Sequence, residues 1–175
     1  SPQRLTKESI HIEQDLIKET VGSQDQTNAA YGGFNKIRFK QSGEITVDPV
    51  TISYEQIQKL DENLMLFYTG IIRTAEKVAK SYVDNIEKKE KQLLIMHDMV
   101  DEAIELIANG NLDSFGRLLN DAWQKKRSLS KMVSNSQVDE IYASAIDAGA
   151  LGGKLSGAGG GGFLLLYVPV EKQPD

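Results

Sequence analysis

Lys154-Leu155-Ser156-Gly157-Ala158-Gly159-Gly160-Gly161-Gly162 runs directly into Phe163-Leu164-Leu165-Leu166-Tyr167-Val168. Five of the first nine residues are glycine, and the six that follow are all apolar or aromatic. A loop with so few Cβ atoms lets consecutive backbone N–H groups approach an anion or another backbone. The apolar run predicts a strand buried on both faces. A flexible linker shares the glycine content, but linkers are not normally joined to the start of a core strand. Upstream, Val138, Ile141, Tyr142, Ala145 and Ile146 recur at helical spacing, and Gly149 is placed to stop that helix. The expected order is therefore helix, glycine loop, strand. P-loops and dinucleotide loops run strand, loop, helix, with the anion at the helix N-terminus. This loop is neither; beside a phosphate it would serve as a backbone nest or as a wall behind another loop.

The rest of the composition sets outer bounds. At 175 residues, 40% hydrophobic and 26% charged, the chain suits one or two small globular domains. A net charge of −5 argues against nonspecific binding to nucleic acid or to an anionic membrane. There is no cysteine, hence no disulfide, thiol nucleophile or thiolate metal ligand, which suits a cytoplasmic setting. No apolar run approaches the ~20 residues of a membrane span, and no signal-peptide pattern opens the chain. Ser1 stands where a methionine ordinarily does, as in a processed or truncated piece.

Residues 5–18 fit one amphipathic helix with Leu5, Ser9, Ile10, Ile12, Glu13, Leu16 and Ile17 on one arc. Glu13 is the anomaly, since a carboxylate on an apolar arc needs a partner or a metal. A salt bridge to Arg or Lys would satisfy it equally well. The polar stretch Val21–Gly33 follows, in which Asp25 either N-caps a short helix or is presented at its start as a general base. Residues 34–40 and 44–48 read as a hairpin ended by Pro49, and Leu64–Tyr68 as a second fully buried strand. Helices are expected over about 73–87, 90–108, 112–130 and 136–148, with breaks at Asn109-Gly110-Asn111 and Ser134-Asn135-Ser136. Their apolar stripes read as packing faces.

Three of these stretches together resemble one family, the GHMP kinases, which include galactokinase, homoserine kinase and mevalonate kinase. Lys154–Gly162 is similar to the family's C-terminal glycine motif, in which Lys154, Ser156, Gly157, Ala158, Gly159, Gly160 and Gly161 are the matching positions. Gly22-Ser23-Gln24-Asp25-Gln26, followed by Tyr31-Gly32-Gly33, resembles the segment with the catalytic aspartate. Glu13, twelve residues earlier, matches a glutamate that binds magnesium in several members. Within the family, the stretches around Glu13 and Asp25 are most similar to the D-glycero-D-manno-heptose 7-phosphate kinases. No stretch matches the family's Pro-x-x-x-Gly-Leu-x-Ser-Ser phosphate loop. The resemblance is thus to the C-terminal half of a kinase about twice this length.

The resemblance implies an α+β fold: residues 1–55 as the tail of an N-terminal domain, and 56–175 as a helix-rich, ferredoxin-like C-terminal domain. It implies ATP and Mg2+, with Asp25 as base, Glu13 on magnesium, and Tyr31, Gly32, Gly33 and Arg73 at a sugar-phosphate acceptor. Arg73 reads equally well as a surface helix arginine. The implied partners are ATP, a sugar phosphate and the N-terminal half of the same kinase, with no nucleic acid or membrane; a homodimer is left open. Without the phosphate loop the 175 residues alone are expected to be inactive. A galactose or mevalonate kinase and a non-catalytic metabolite-binding domain are the alternatives.

Overall fold

The computed structural model describes residues 1–72, 75–83 and 86–173, with backbone only at 75 and 76. The chain divides into two compact units, Ser1–Thr51 and Ile52–Asp175. The boundary lies a few residues before the one expected at 55.

The first unit begins with α1 (Pro2–Ile10), capped by the Ser1 side chain and started by a proline whose missing N–H is not needed there. It continues as a π-helical turn, His11–Leu16, in which the Ile17 N–H bonds to Ile12 O at 2.9 Å and the Glu19 N–H to Glu13 O at 2.9 Å. Lys18 ends it at φ +61°, a conformation that costs a non-glycine residue some strain. The single regular helix expected over 5–18 is therefore widened in its second half. The expected apolar arc is also corrected, since Leu5, Ile12, Leu16 and Ile17 are each about half exposed or more. The residue that α1 buries within this unit is Thr6. α2 (Gln24–Tyr31) packs beside α1. β1 (Asn35–Phe39) and β2 (Ile45–Pro49) form the expected antiparallel hairpin, Phe39 opposite Ile45, with Gly43 at φ +82° in the turn.

The second unit opens with α3 (Tyr54–Glu62), started by a capping box between Ser53 and Gln56. β3 (Leu64–Tyr68) follows, then α4 (Ala75–Val83), a 3-10 turn (Ile86–Lys89), α5 (Glu90–Ala108), α6 (Leu112–Arg127), α7 (Ser136–Asp147), β4 (Gly152–Leu155) and β5 (Phe163–Tyr167). The strands form an antiparallel sheet ordered β3-β5-β4, with Leu64 and Gly152 flanking Tyr167. β5 is the central strand. Leu164 and Leu166 join Leu155, Val78, Trp123, Val138 and Tyr142 in one core cluster. Tyr167, pointing the opposite way as successive strand residues must, packs with Leu60, Ile107 and Leu112 in a second.

Two expectations about this sheet are corrected. Lys154 and Leu155 belong to a strand, so the order is helix, strand, glycine loop, strand, and the loop is the turn of a hairpin. And β3 is not buried on both faces. It lies at the sheet's edge, its first two residues reach the core clusters, and Leu66 and Tyr68 are 60% and 58% exposed. Apolar composition permits burial but does not impose it. Phe163, at the start of β5, shares that exposed end, its ring 5.2 Å from that of Tyr68.

Candidate active site

Asp25 is the second residue of α2 and its side chain is exposed. It is not the cap: Ser23 occupies that position, and the Thr27 hydroxyl bonds back to Ser23 O at 2.6 Å to tighten the first turn. Among the described residues no side chain or backbone donor engages the Asp25 carboxylate. It is thus open to an incoming hydroxyl. Glu13, half-buried on the π turn, has a partner, and it is neither Arg nor Lys. The amide Nε2 of Gln26 donates to Glu13 Oε2. Gln26 is only 8% exposed, and its own Oε1 is buried with no donor among the described residues. From the other helix, Gln14 Nε2 donates to Val21 O at 3.0 Å and to Ser23 Oγ at 3.2 Å, fastening the loop that leads into α2.

Tyr31 ends α2 and lines a cleft of about 620 Å³ within this unit, together with Thr6, His11, Ser23 and Glu44. Gly32 (φ +62°) and Gly33 (φ +75°) carry the chain from α2 into β1, conformations that exclude most other residues there. Arg73 lies outside the described residues.

In the second unit the glycines do mainly what close backbone approach requires. Ser156 N–H to Phe163 O at 2.8 Å closes the hairpin. Gly160 N–H bonds to Val133 O at 2.7 Å and Gly162 N–H to Ile71 O at 3.1 Å. A Cβ on Gly159 would stand 2.6 Å from Val133 O, and one on Gly161 2.7 Å from Ile71 O. Asn135 joins helix and loop: its Oδ1 accepts from Val138 N–H at 3.0 Å, capping α7, while its Nδ2 donates to Gly160 O at 2.9 Å. Lys126 donates to Gly157 O. The backbone N–H groups of Gly157, Ala158 and Gly159 meet no acceptor among the described residues, three consecutive donors of the kind that an anion can occupy. Lys154, on β4, has its ammonium pushed toward the neutral form by burial.

Mg2+ takes oxygen ligands, commonly one or two carboxylates completed by phosphate oxygens and water. Glu13 supplies such a carboxylate, and among the described residues no cation is paired with it. The donor set fits a hard divalent ion. Among the described residues no group of three or more His, Asp or Glu side chains forms a self-sufficient metal cage.

The sequence reading overlooked Gln14, Gln26 and Asn135. Asn135 carried a signal, an N-cap residue directly before a helical pattern. The glutamines carried none, because an amide's partners depend on which two helices meet.

Residues 91–173 match the GHMP kinases C terminal family model. The chain is 32% identical to the D-glycero-alpha-D-manno-heptose 7-phosphate kinase of Campylobacter jejuni subsp. jejuni, over 97% of this chain and 50% of that protein. It is 29% identical to the mevalonate kinase of Pyrococcus horikoshii, over 94% of this chain and 49% of the kinase. In fold it resembles a crystal structure described as a D-glycero-D-manno-heptose 1-phosphate kinase from Bacteriodes thetaiotaomicron, with TM-score 0.68 and 22% identity over 99% of this chain and 47% of that one. The chain thus spans about half the length of these relatives. By sequence, residues 91–173 belong to the C-terminal domain of the GHMP kinases, and the chain has the fold of that family's members.

Proposed function

We propose that the chain is half of an ATP-dependent sugar kinase that transfers the γ-phosphate to the anomeric hydroxyl of a phosphorylated heptose. The observation that carries this reading is a carboxylate unengaged among the described residues, Asp25, whose chain neighbour Gln26 holds a second carboxylate, Glu13, by a neutral amide. Phosphoryl transfer is mostly positioning and charge neutralisation, so it needs few protein groups, placed well. Asp25 accepts or orients the proton of the acceptor hydroxyl. Glu13 holds magnesium, which when bound neutralises charge on the transferring phosphate. Gly157–Gly159 offer backbone donors to an anion, and the stitched part of the loop keeps them in place. Arg73 is read as the clamp on the sugar phosphate, a role suited to a guanidinium. The heptose assignment leans on the 32% identity across nearly the whole chain. The second reading, a mevalonate kinase, leans on the match to the Pyrococcus horikoshii enzyme.

A substrate panel on the full-length kinase tests the choice: heptose 7-phosphate, unphosphorylated heptose, galactose and mevalonate. The heptose phosphate is expected to give the highest kcat/KM, and Arg73→Ala to raise its KM by roughly 10- to 100-fold, as for loss of a charge-assisted contact worth ~1.5–3 kcal/mol. Preference for mevalonate moves the assignment to the second reading, and preference for a sugar without phosphate removes the role of Arg73. The 175 residues alone, run as a further arm, are expected to show no turnover. No helix among the described residues is long and apolar enough to cross a membrane.

A further inference from the structure

We propose that Gln14 and Gln26 form a reciprocal clasp that sets Asp25 against Glu13, which makes Gln26 a positioning residue for the metal side of the site. The inference rests on the roles proposed above for Asp25 and Glu13.

The bonds cross. Gln14, from the π turn, reaches the loop before α2 and uses both amide hydrogens there, on Val21 O and Ser23 Oγ. Gln26, from the first turn of α2, reaches back to Glu13. Each donor is the covalent neighbour of a proposed functional group: Gln14 follows Glu13, and Gln26 follows Asp25. The clasp therefore ties together the two short segments that bear the carboxylates. Both neighbours, Glu13 and Gln14, bond from the widened turn to α2 and the loop before it.

The choice of an amide separates a functional clasp from a structural one. A half-buried carboxylate needs a hydrogen bond, and Lys or Arg would supply one while cancelling its charge. A neutral amide orients Glu13 and leaves the full negative charge for a divalent cation. Partners of this kind, one shell behind a metal ligand, typically change metal affinity or activity by 10- to 100-fold when removed. Burial of Gln26 and the locked first turn through Thr27 make the donor rigid.

The test uses Gln26→Leu, which keeps the volume and removes the donor, and the exchanged pair Glu13→Gln with Gln26→Glu, which keeps the hydrogen bond and moves the charge. In the full-length kinase, Gln26→Leu should raise the magnesium concentration for half-maximal rate by roughly 10- to 100-fold. Mn2+ binding followed by electron paramagnetic resonance should weaken by the same factor. The exchanged pair should recover the thermal midpoint of the parent and still bind Mn2+ weakly. In the 175-residue chain, Gln14→Leu and Gln26→Leu should each speed amide hydrogen exchange across residues 23–28. A lowered thermal midpoint with unchanged Mn2+ affinity and magnesium response would overturn the proposal and leave the clasp a packing device. Failure of the underlying reading looks different: Asp25→Asn would then keep parental kcat, whatever Gln26→Leu does to the metal.

Discussion

Asp25→Asn in the full-length kinase is expected to lower kcat by ~100-fold or more and to leave the KM for ATP nearly unchanged. General base catalysis typically contributes 10²- to 10⁴-fold, and each tenfold corresponds to about 1.4 kcal/mol of transition-state stabilisation. Asparagine keeps the shape of the side chain and loses its capacity to take a proton. The ATP contacts do not depend on that capacity, so the loss should fall on kcat and on kcat/KM together. The fold supplies a control for this reading. Asp25 is exposed and has no partner among the described residues, so the substitution should alter stability by less than about 1 kcal/mol. Misfolding could not then account for a hundredfold loss. Steady-state kinetics with a parallel melt checks both halves. A variant that keeps near-parental kcat would reduce Asp25 to an ordinary residue of a helix start.

Gly152→Ala is expected to be the most damaging single methyl group that can be added to the second unit. α6 crosses the edge strand β4 at two facing glycines. A Cβ on Gly152 would fall on the carbonyl oxygen of Gly116 and 2.7 Å from the backbone N of Asn120. One on Gly116 would stand 2.5 Å from the ring of Tyr167 and 3.1 Å from Leu151. The obstacle at Gly152 is backbone, which cannot turn aside as a side-chain end can. The cost should reach about 3 kcal/mol, the upper part of the range for over-packing. That corresponds to a fall in Tm of roughly 6–12 °C for a domain of this size. Trp123, fully buried and the chain's single tryptophan, reports unfolding of this unit by fluorescence. Gly110→Ala, in the same unit, is the comparison: its φ of +72° strains an alanine, but nothing lies within 4 Å of the new methyl. Strain alone costs about 1–2 kcal/mol. A Gly152→Ala variant no less stable than the Gly110→Ala one would show that the α6–β4 approach is looser than described.

These two residues mark what was legible in the sequence. The place of Asp25 was, because it is local: a carboxylate in a short polar stretch that starts a helix. The glycine-to-strand junction was as well, since an unbroken apolar run directly after glycines marks where a loop ends and a strand begins. Gly152 was not. A strand whose first two residues are glycine has almost no β signal, so β4 was absorbed into the glycine loop, and its crossing with α6 depends on a residue 36 positions away. The exposed end of β3 was hidden for a related reason. Leu66, Phe67 and Tyr68 are as apolar as Leu164–Tyr167, and only sheet order distinguishes an edge from a centre. Glu13 stood out as a carboxylate in need of a partner, yet its partner is a neutral amide thirteen residues on, supplied by a helix–helix meeting that periodicity cannot see. α3 could have been read from Ser53 and Gln56, a capping box in plain view.

The most direct test of the central claim is phosphorus NMR of the full-length kinase with Mg-ATP and heptose 7-phosphate. The account predicts ADP together with a new phosphate resonance coupled to the anomeric proton, formed by the parent and suppressed by ~100-fold or more in Asp25→Asn. ATP consumed with the new phosphate on a different hydroxyl, or a resonance that forms equally fast without the Asp25 carboxylate, would contradict it.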